Sequence, residues 1–419
     1  MTGLTESGKS LFQKAKEQPE NIKLVLGVIK KQGLKKTLNL VRDVLKTGSP
    51  TGYSAAGIIL EVGKNITDFK KGDRVAAAGA GKANHAEIIA VPRNLVVKIP
   101  KNLDFSQAAS VTLGAVALQG IRQADPKLGD RVVVIGLGLI GLLAVQILKA
   151  SGCYVIGIDL DKYRLKMAQD LGTDSIISAE NNTVTKVLQE TEGKGADRVI
   201  ICAATKSDQP VNDAMQMVRK KGAVIVVGAI GLNLKRSPFY EKEAELKISC
   251  SYGPGRYDER YEEKGEDYPF GYVRWTENRN MKEYLNLLAD GKINFKKLIT
   301  RQYIIDEADQ AYTDLKTAPE KPLAVLLKYP EPKNQETLLK LKTNLKPFNK
   351  KVIKVAIIGV GSFATSVHLP NLEKLTKYYQ IKAIIDKNGV KAKQIAEKYS
   401  ADFAGTDYRE ILGIGKKGK

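Results

Sequence analysis

The apolar run Val132 to Ile135 leads into Gly136-Leu137-Gly138-Leu139-Ile140-Gly141, a G-x-G-x-x-G. These residue types at this spacing suit the binding of a dinucleotide. Gly136 permits a tight turn out of a strand. Gly138 lets the backbone approach a pyrophosphate, and Gly141 lets a helix pack close to the sheet. The helix beginning at Leu139 and Ile140 offers free N–H groups and the positive end of its dipole to phosphate. A second apolar run, Tyr154 to Ile158, ends at Asp159, 23 residues after Gly136. Its carboxylate is placed to accept both ribose hydroxyls of NAD. It would repel the 2′-phosphate of NADP, and no Arg directly follows it, so NAD is expected over NADP.

Further strand ends are candidates for cofactor contact. Ala203, Ala204 and Thr205 follow one apolar run, and Gly228, Ala229 and Ile230 follow the next. Small residues there permit close approach of a ring, although packing alone also calls for them. A second fingerprint lies near the C-terminus. Val352 to Ile358 runs into Gly359-Val360-Gly361-Ser362-Phe363-Ala364, and the run Ile381 to Ile385 ends at Asp386, 27 residues after Gly359. Gly359, Gly361 and Asp386 are its candidate cofactor contacts.

The elements that must position these residues follow from periodicity. Residues 10–47 read as helical, with lysines between apolar positions at near-helical spacing. Residues 56–63, 73–77 and 85–92 read as short strands joined by Gly and Asp turns, the pattern of a small β-barrel. A helix is expected over 105–122. Strands at 131–135, 154–158, 198–202 and 223–228 alternate with helices, which calls for a doubly wound parallel sheet. Residues 253–274 lack periodicity and read as an irregular loop. Tyr252, Arg256 and Tyr257 there either face a sugar or its phosphate or serve the structure. A helix at 278–290, a strand at 301–305, a helix at 306–316 and a strand at 323–328 follow. Residues 330–351, with Pro330, Pro332 and Pro347, read as a linker, and 413–419 as an unfolded tail.

Composition narrows the class. The 419 residues are 43% hydrophobic and 27% charged, the balance of a globular protein. No window approaches 18 uncharged apolar residues, so no membrane-spanning helix is expected. The N-terminus has no apolar signal-like core. Cys153, Cys202 and Cys250 show no C-x-x-C spacing, and a reducing, cytoplasmic setting is expected. The net charge of +21 comes from lysines spread along the chain, many beside acids. The basic clusters carry no interleaved aromatics, so a nucleic-acid partner is not expected. Such a field suits anionic substrates such as nucleotide sugars.

With these residues in hand, 1–329 resembles the medium-chain dehydrogenase/reductase family, the alcohol dehydrogenase-like fold. The resemblance rests on Gly52-Tyr53-Ser54-Ala55-Ala56-Gly57-Ile58-Ile59-Leu60-Glu61-Val62-Gly63, Lys71-Gly72-Asp73-Arg74-Val75, His85-Ala86-Glu87 and Gly136–Gly141. Leu298 to Lys328 resembles that family's return into its catalytic domain. Residues 352–412 are similar to the start of the glucose–fructose oxidoreductase/inositol dehydrogenase family (Gfo/Idh/MocA), through Gly359-x-Gly361-x-x-Ala364, His368-Leu369-Pro370 and Tyr408. The resemblance implies an α/β fold. A partial GroES-like β-barrel catalytic domain spans 1–114 and 296–329, and a Rossmann domain spans 115–295. A linker covers 330–351, and a second, partial Rossmann unit covers 352–419. It also implies family strands before Met1 and a C-terminal module that stops short of its catalytic lysine motif.

The departures from the family are informative. Its zinc-dependent members hold catalytic zinc with Cys, His and Cys. Here Tyr53 and Ser54 stand where a His-Glu pair would be, Thr112 stands near the second cysteine position, and the first is lost or replaced near Thr5. The four-cysteine structural loop is absent, and the chain has two histidines, His85 and His368. A zinc site needs three or four converging ligands, so no metal is expected. Hydride transfer then needs a side chain to move the hydroxyl proton. The resemblance makes Tyr53 the candidate relay and Thr112 a candidate partner for substrate or nicotinamide. A tyrosine lining the pocket and a satisfied buried hydroxyl are the alternatives, and His85 reads as a surface or structural histidine.

The reading is thus an NAD-dependent, zinc-independent oxidoreductase. Its substrate would be an alcohol/carbonyl pair on a sugar or nucleotide sugar of polysaccharide metabolism, and a homo-oligomer is compatible. A catalytically inactive dinucleotide-binding fragment and a basic nucleic-acid-binding protein are the alternatives.

Overall fold

The computed structural model describes residues 51–180, 182–320, 322–330, 338–340 and 352–412. The helix expected over 10–47, the position near Thr5, most of the expected linker and the expected tail lie outside the described residues. Contacts divide the chain into two units, one of which is Thr51–Pro330.

In that unit β1 (Ser54–Ile58), β2 (Arg74–Ala78) and β3 (Val96–Lys98) form an antiparallel three-stranded sheet. The strand expected over 85–92 does not form. Gly79 and Gly81 take positive φ, bends follow over 85–88, and a 3-10 turn at Arg93–Leu95 precedes the third strand, which therefore begins later. Helix α1 (Phe105–Ala108) is capped by the Asp104 carboxylate, which accepts the Gln107 amide at 2.8 Å. Helix α2 (Val111–Ala124) leads to the main sheet.

That sheet is built from β4 (Arg131–Ile135), α3 (Leu139–Ala150), β5 (Tyr154–Asp159), α4 (Lys162–Asp170), β6 (Ser175–Ser178), α5 (Thr183–Glu190), β7 (Ala196–Ile201), α6 (Gln209–Met217), β8 (Val218–Val226), α7 (Arg236–Glu241) and β9 (Glu245–Ile248). All its strand pairs are parallel, in the order β6-β5-β4-β7-β8-β9. The chain starts at the central β4, winds outward to β6, then returns to β7 beside β4. The reversal opens a crevice between β4 and β7 at their C-terminal ends.

Side chains of β4 alternate between two cores. Val132 and Val134 pack with Leu118, Leu142, Val145 and Leu285, whereas Val133 and Ile135 pack with Val187, Val211 and Met215. A strand covered on both faces reads as a continuous apolar run. Burying each such side chain contributes roughly 1.5–3 kcal/mol. Beyond β9 come α8 (Glu259–Glu262) and α9 (Glu277–Ala289), then β10 (Ile299–Ile304), α10 (Ala308–Thr317) and β11 (Ala324–Lys328). β10 and β11 pair in parallel. Helix α9 packs against α2 so closely that a side chain at Gly114 would collide with the Tyr284 ring.

The described part of the other unit holds a four-stranded sheet. β12 (Leu338–Lys340), β13 (Ile353–Ile358), β14 (Tyr379–Ile385) and β15 (Phe403–Gly405) lie in the order β12-β15-β14-β13. Helix α11 (Leu369–Lys374), α12 (Gly389–Lys398) and α13 (Tyr408–Ile411) connect or follow them. A π-helical turn at Ala364–His368 leads into the six-residue α11 after this glycine turn.

Candidate functional site

The chain leaves β4 through Gly136, whose φ is +91° and whose missing side chain would otherwise strike the backbone of Ala203. The left-handed turn and the close approach both require glycine. At Gly141 a Cβ would collide with the Gly136 carbonyl oxygen. Gly138, the N-cap of α3, differs. A Cβ there would meet only Arg164 Nη1, at 4.0 Å, so the space beside this turn is open. The amides of Leu139, Ile140 and Gly141 open a 12-residue helix and have no intrahelical acceptor. The cradle fits a pyrophosphate.

Asp159 ends β5 and is 9% exposed. Its Oδ2 accepts the Leu137 amide at 2.6 Å and its Oδ1 accepts the Asp161 amide at 2.9 Å. The carboxylate is therefore fixed at the rim of the glycine turn. Arg164 Nη1 lies 3.9 Å from Asp159 Oδ2. The sequence reading placed no cation beside Asp159. Helix α4 corrects this, because its first turn brings Arg164 back over the strand end.

The small residues at the neighbouring strand ends come together with this turn. The Ala203 amide donates to the Ile135 carbonyl at 3.1 Å, and a side chain at Gly228 would collide with the Ala203 carbonyl. Thr205 donates its amide to Ala229 at 2.9 Å, and both residues are exposed. Packing requires Gly228 to be glycine, while Thr205 and Ala229 remain open to a ligand.

Tyr53 precedes β1 and is half-buried, and burial pushes its hydroxyl pKa up. The hydroxyl has no protein partner among the described residues. Thr112, 2% exposed in the first turn of α2, donates its hydroxyl to the Tyr53 carbonyl at 2.9 Å. Its amide donates to Ser54 Oγ at 3.2 Å, and Ser54 Oγ donates to the Ala109 carbonyl at 2.6 Å. The Thr112 hydroxyl proton is thus used to hold the Tyr53 backbone, the satisfied buried hydroxyl that the sequence left as the alternative. His85 is exposed; its ring lies over Gly52 and its Nδ1 is 3.0 Å from the Tyr312 hydroxyl.

The loop candidates separate. Tyr257 is exposed, Arg256 pairs with Glu262 at 2.5 Å, and Tyr252 is only 3% exposed. Tyr252 therefore belongs to the interior, not to a sugar-facing surface. Beside it lies Glu277, which the sequence did not single out. Glu277 is 0% exposed, among the described residues neither of its oxygens nor the Tyr252 hydroxyl has a protein partner, and burial pushes its pKa up to about 9.

The second fingerprint repeats the latch of the first. The Gly359 amide donates to Ile385 and the Val360 amide to Asp386 Oδ2, at 2.7 and 2.9 Å. The corresponding bonds of the first are Gly136 to Ile158 at 2.8 Å and Leu137 to Asp159. Gly359 has φ +84°, and side chains at Gly359 or Gly361 would meet nothing within 4 Å.

Among the described residues no three His, Cys, Asp or Glu side chains converge. Ser54 and Thr112 are engaged with the backbone. The side chains of Tyr53, Ser54 and Thr112 thus do not supply a zinc ligand set among the described residues. Among the described residues no helix is long and apolar enough to cross a membrane.

Comparison with known proteins agrees with this geometry. Residues 140–264 match the zinc-binding dehydrogenase family, and residues 353–415 match the oxidoreductase family with an NAD-binding Rossmann fold. A probable D-xylulose reductase A of Aspergillus clavatus is 29% identical over 309 residues, 65% of this chain and 79% of the relative. The D-guloside 3-dehydrogenase of Escherichia coli is 29% identical over 269 residues, 62% of this chain and 72% of the relative. The alcohol dehydrogenase of Thermus sp. ATN1 superposes with a TM-score of 0.57 at 22% identity, over 68% of this chain and 85% of that one. The chain is thus an oxidoreductase that carries a medium-chain dehydrogenase/reductase module of alcohol dehydrogenase-like fold and a C-terminal Rossmann segment of Gfo/Idh/MocA type.

Proposed function

We propose that this oxidoreductase uses NAD, without zinc, to interconvert an alcohol and a carbonyl on a sugar or nucleotide sugar. The observation that carries the reading is the open space beside Gly138, rimmed by the α3 amides and the latched Asp159 carboxylate. The pyrophosphate would rest on the amides of Leu139, Ile140 and Gly141. Asp159 would hold the adenosine ribose. Arg164 would offset part of the charge that disfavours a 2′-phosphate, so the preference for NAD is moderate in size.

The bound nicotinamide would supply or accept hydride. Tyr53 is assigned the proton. Its raised pKa keeps it protonated at neutral pH, so in the direction of carbonyl reduction it donates its proton to the forming alkoxide and recovers one from solvent. Thr112 holds the Tyr53 backbone in place. Thr205, Gly228 and Ala229 leave room for the nicotinamide side of the cofactor. The relatives named for D-xylulose and D-guloside favour a polyol or sugar hydroxyl as the reacting group.

Incubating the intact chain with NAD and a panel of pentitols, hexitols and methyl hexosides tests the reading. NADH formation with at least one is expected, with less than one equivalent of zinc by elemental analysis. NAD binding without turnover of any of them, or a stoichiometric bound zinc, would contradict it.

A further inference from the structure

Residues 270–279 and the end of α2 build an alternating stack of guanidinium groups and rings. The Arg122 Cζ lies 3.2 Å from the centroid of Trp275, and the Arg274 Cζ lies 3.7 Å from the same centroid. One ring face has no room for two guanidinium groups so close to its centre. They therefore cover opposite faces, their central carbons about 7 Å apart. Arg274 also lies over Phe270 at 4.7 Å, with Arg279 5.2 Å from that ring.

The three arginines differ in what neutralises them. Arg279 pairs with Asp267 at 2.5 Å and donates to the carbonyls of Val273 and Tyr268. Arg122 donates its Nε to Asn280 Oδ1 at 2.8 Å and forms no ion pair among the described residues. Burial lowers its pKa to about 10. Glu283 is the one carboxylate that acts on it in the opposite sense, and Arg274 adds like-charge repulsion. Arg274 is exposed and has neither hydrogen bond nor ion pair among the described residues.

Two like charges on one indole each gain from the ring's electron density. Among the described residues neither guanidinium forms an ion pair, and Glu283 offsets the repulsion only at Arg122 and without contact. Arginine presents its donors as a planar fork that matches an oxoanion in two-point fashion. We propose that Arg122 and Arg274, clasping Trp275, form an oxoanion subsite that takes the phosphate or carboxylate group of a small ligand. Arg122 lies ten residues along α2 from Thr112, about 15 Å. The subsite is thus separate from the Tyr53–Thr112 contact and does not depend on the assignment of Tyr53 or of the cofactor.

Trp275 is the only tryptophan of the chain, so indole fluorescence reports on this position alone. The intact chain is titrated with inorganic phosphate, and in a second arm with galacturonate, at ionic strength held constant with chloride. A saturable change in at least one arm is expected, together with protection of the indole from acrylamide quenching. Arg274→Gln should weaken the apparent affinity at least tenfold, and Arg274→Lys should recover only part of it. Response to phosphate alone assigns a phosphorylated ligand, and response to galacturonate alone assigns a carboxylate. Absence of saturation and of protection in both arms would overturn the proposal, as would an equal response in Arg274→Gln. The acrylamide measurement needs no variant and decides the matter should the substituted chains fail to fold.

Discussion

The Asp159 carboxylate accepts the Leu137 amide at 2.6 Å, which ties the end of β5 to the middle of the glycine turn. One buried carboxylate thereby shapes the turn and lines its rim. Asp386 and Val360 repeat the relationship in the C-terminal unit at 2.9 Å. The latch couples the ribose-binding role proposed for this side chain to the stability of the turn.

Asp159→Asn keeps an acceptor for the Leu137 amide but removes the charge. It should weaken NAD binding at least tenfold and narrow the preference over NADP, and it should cost some stability, because its amide nitrogen cannot accept the second of the two amides that the carboxylate holds. Asp159→Ala should also destabilise the fold by about 1–3 kcal/mol, because the buried amide loses its partner. Arg164→Ala should act in the opposite sense on selectivity and widen the preference for NAD. Calorimetric titration of each variant with both coenzymes checks these outcomes.

Gly141→Ala should destabilise the chain by about 1–3 kcal/mol, since the added methyl collides with the Gly136 carbonyl. Thermal unfolding of the variant beside the unchanged chain measures this cost. An unaltered midpoint would mean that the turn and helix can separate without loss.

Stability should fall in alkali through Glu277. Its carboxyl ionises near 4.5 when exposed and near about 9 when folded, chiefly because it is buried, with Glu262 adding to the rise and Arg256 opposing it. A raised folded pKa means a contribution fully present below 4.5, lost progressively as the pH climbs, and gone above about 9. Glu277→Gln removes the titrating group, so the difference in unfolding free energy between pH 6 and pH 9 should shrink. An unchanged pH slope would contradict a neutral, buried Glu277.

Tyr53→Phe should lower kcat by about 10²–10⁴-fold in carbonyl reduction. The affinity for NAD should stay within twofold, because the role proposed for Tyr53 is at the reacting oxygen and not at the dinucleotide. Loss of NAD affinity in parallel with kcat would point to a merely structural tyrosine. A Thr112→Val variant should show a smaller fall in kcat, since its hydroxyl acts only on the Tyr53 carbonyl.

Much of the first unit was legible because its signals are local. The β4 run, the glycine turn, α3 and Asp159 occupy one contiguous stretch, and each residue's role follows from its neighbours in sequence. β6 and β9 were not read, and they are the two edges of the sheet. Ser175–Ser178 is short, and Glu245–Ile248 carries charge, as edge strands often do. The apolar run at 85–92 suggested a strand, but glycines with positive φ just before it set a different path. Arg164 was missed because a helical turn, not sequence adjacency, brings it to Asp159. The 253–274 segment lacks periodicity because side chains rather than a repeating pattern fix it. Asn94 donates to the Tyr261 carbonyl at 2.9 Å, and Asn278 to the Asn94 carbonyl at 2.8 Å.

Calorimetric titration of the intact chain and of its Gly138→Ala variant with NAD tests the central claim most directly. Among the described residues only Arg164 Nη1, at 4.0 Å, approaches the space beside Gly138, so the added methyl should leave the thermal midpoint unchanged while abolishing the binding heat at the first glycine turn. Equal binding by the two chains, or no heat from the unaltered one, would contradict a dinucleotide at the start of α3.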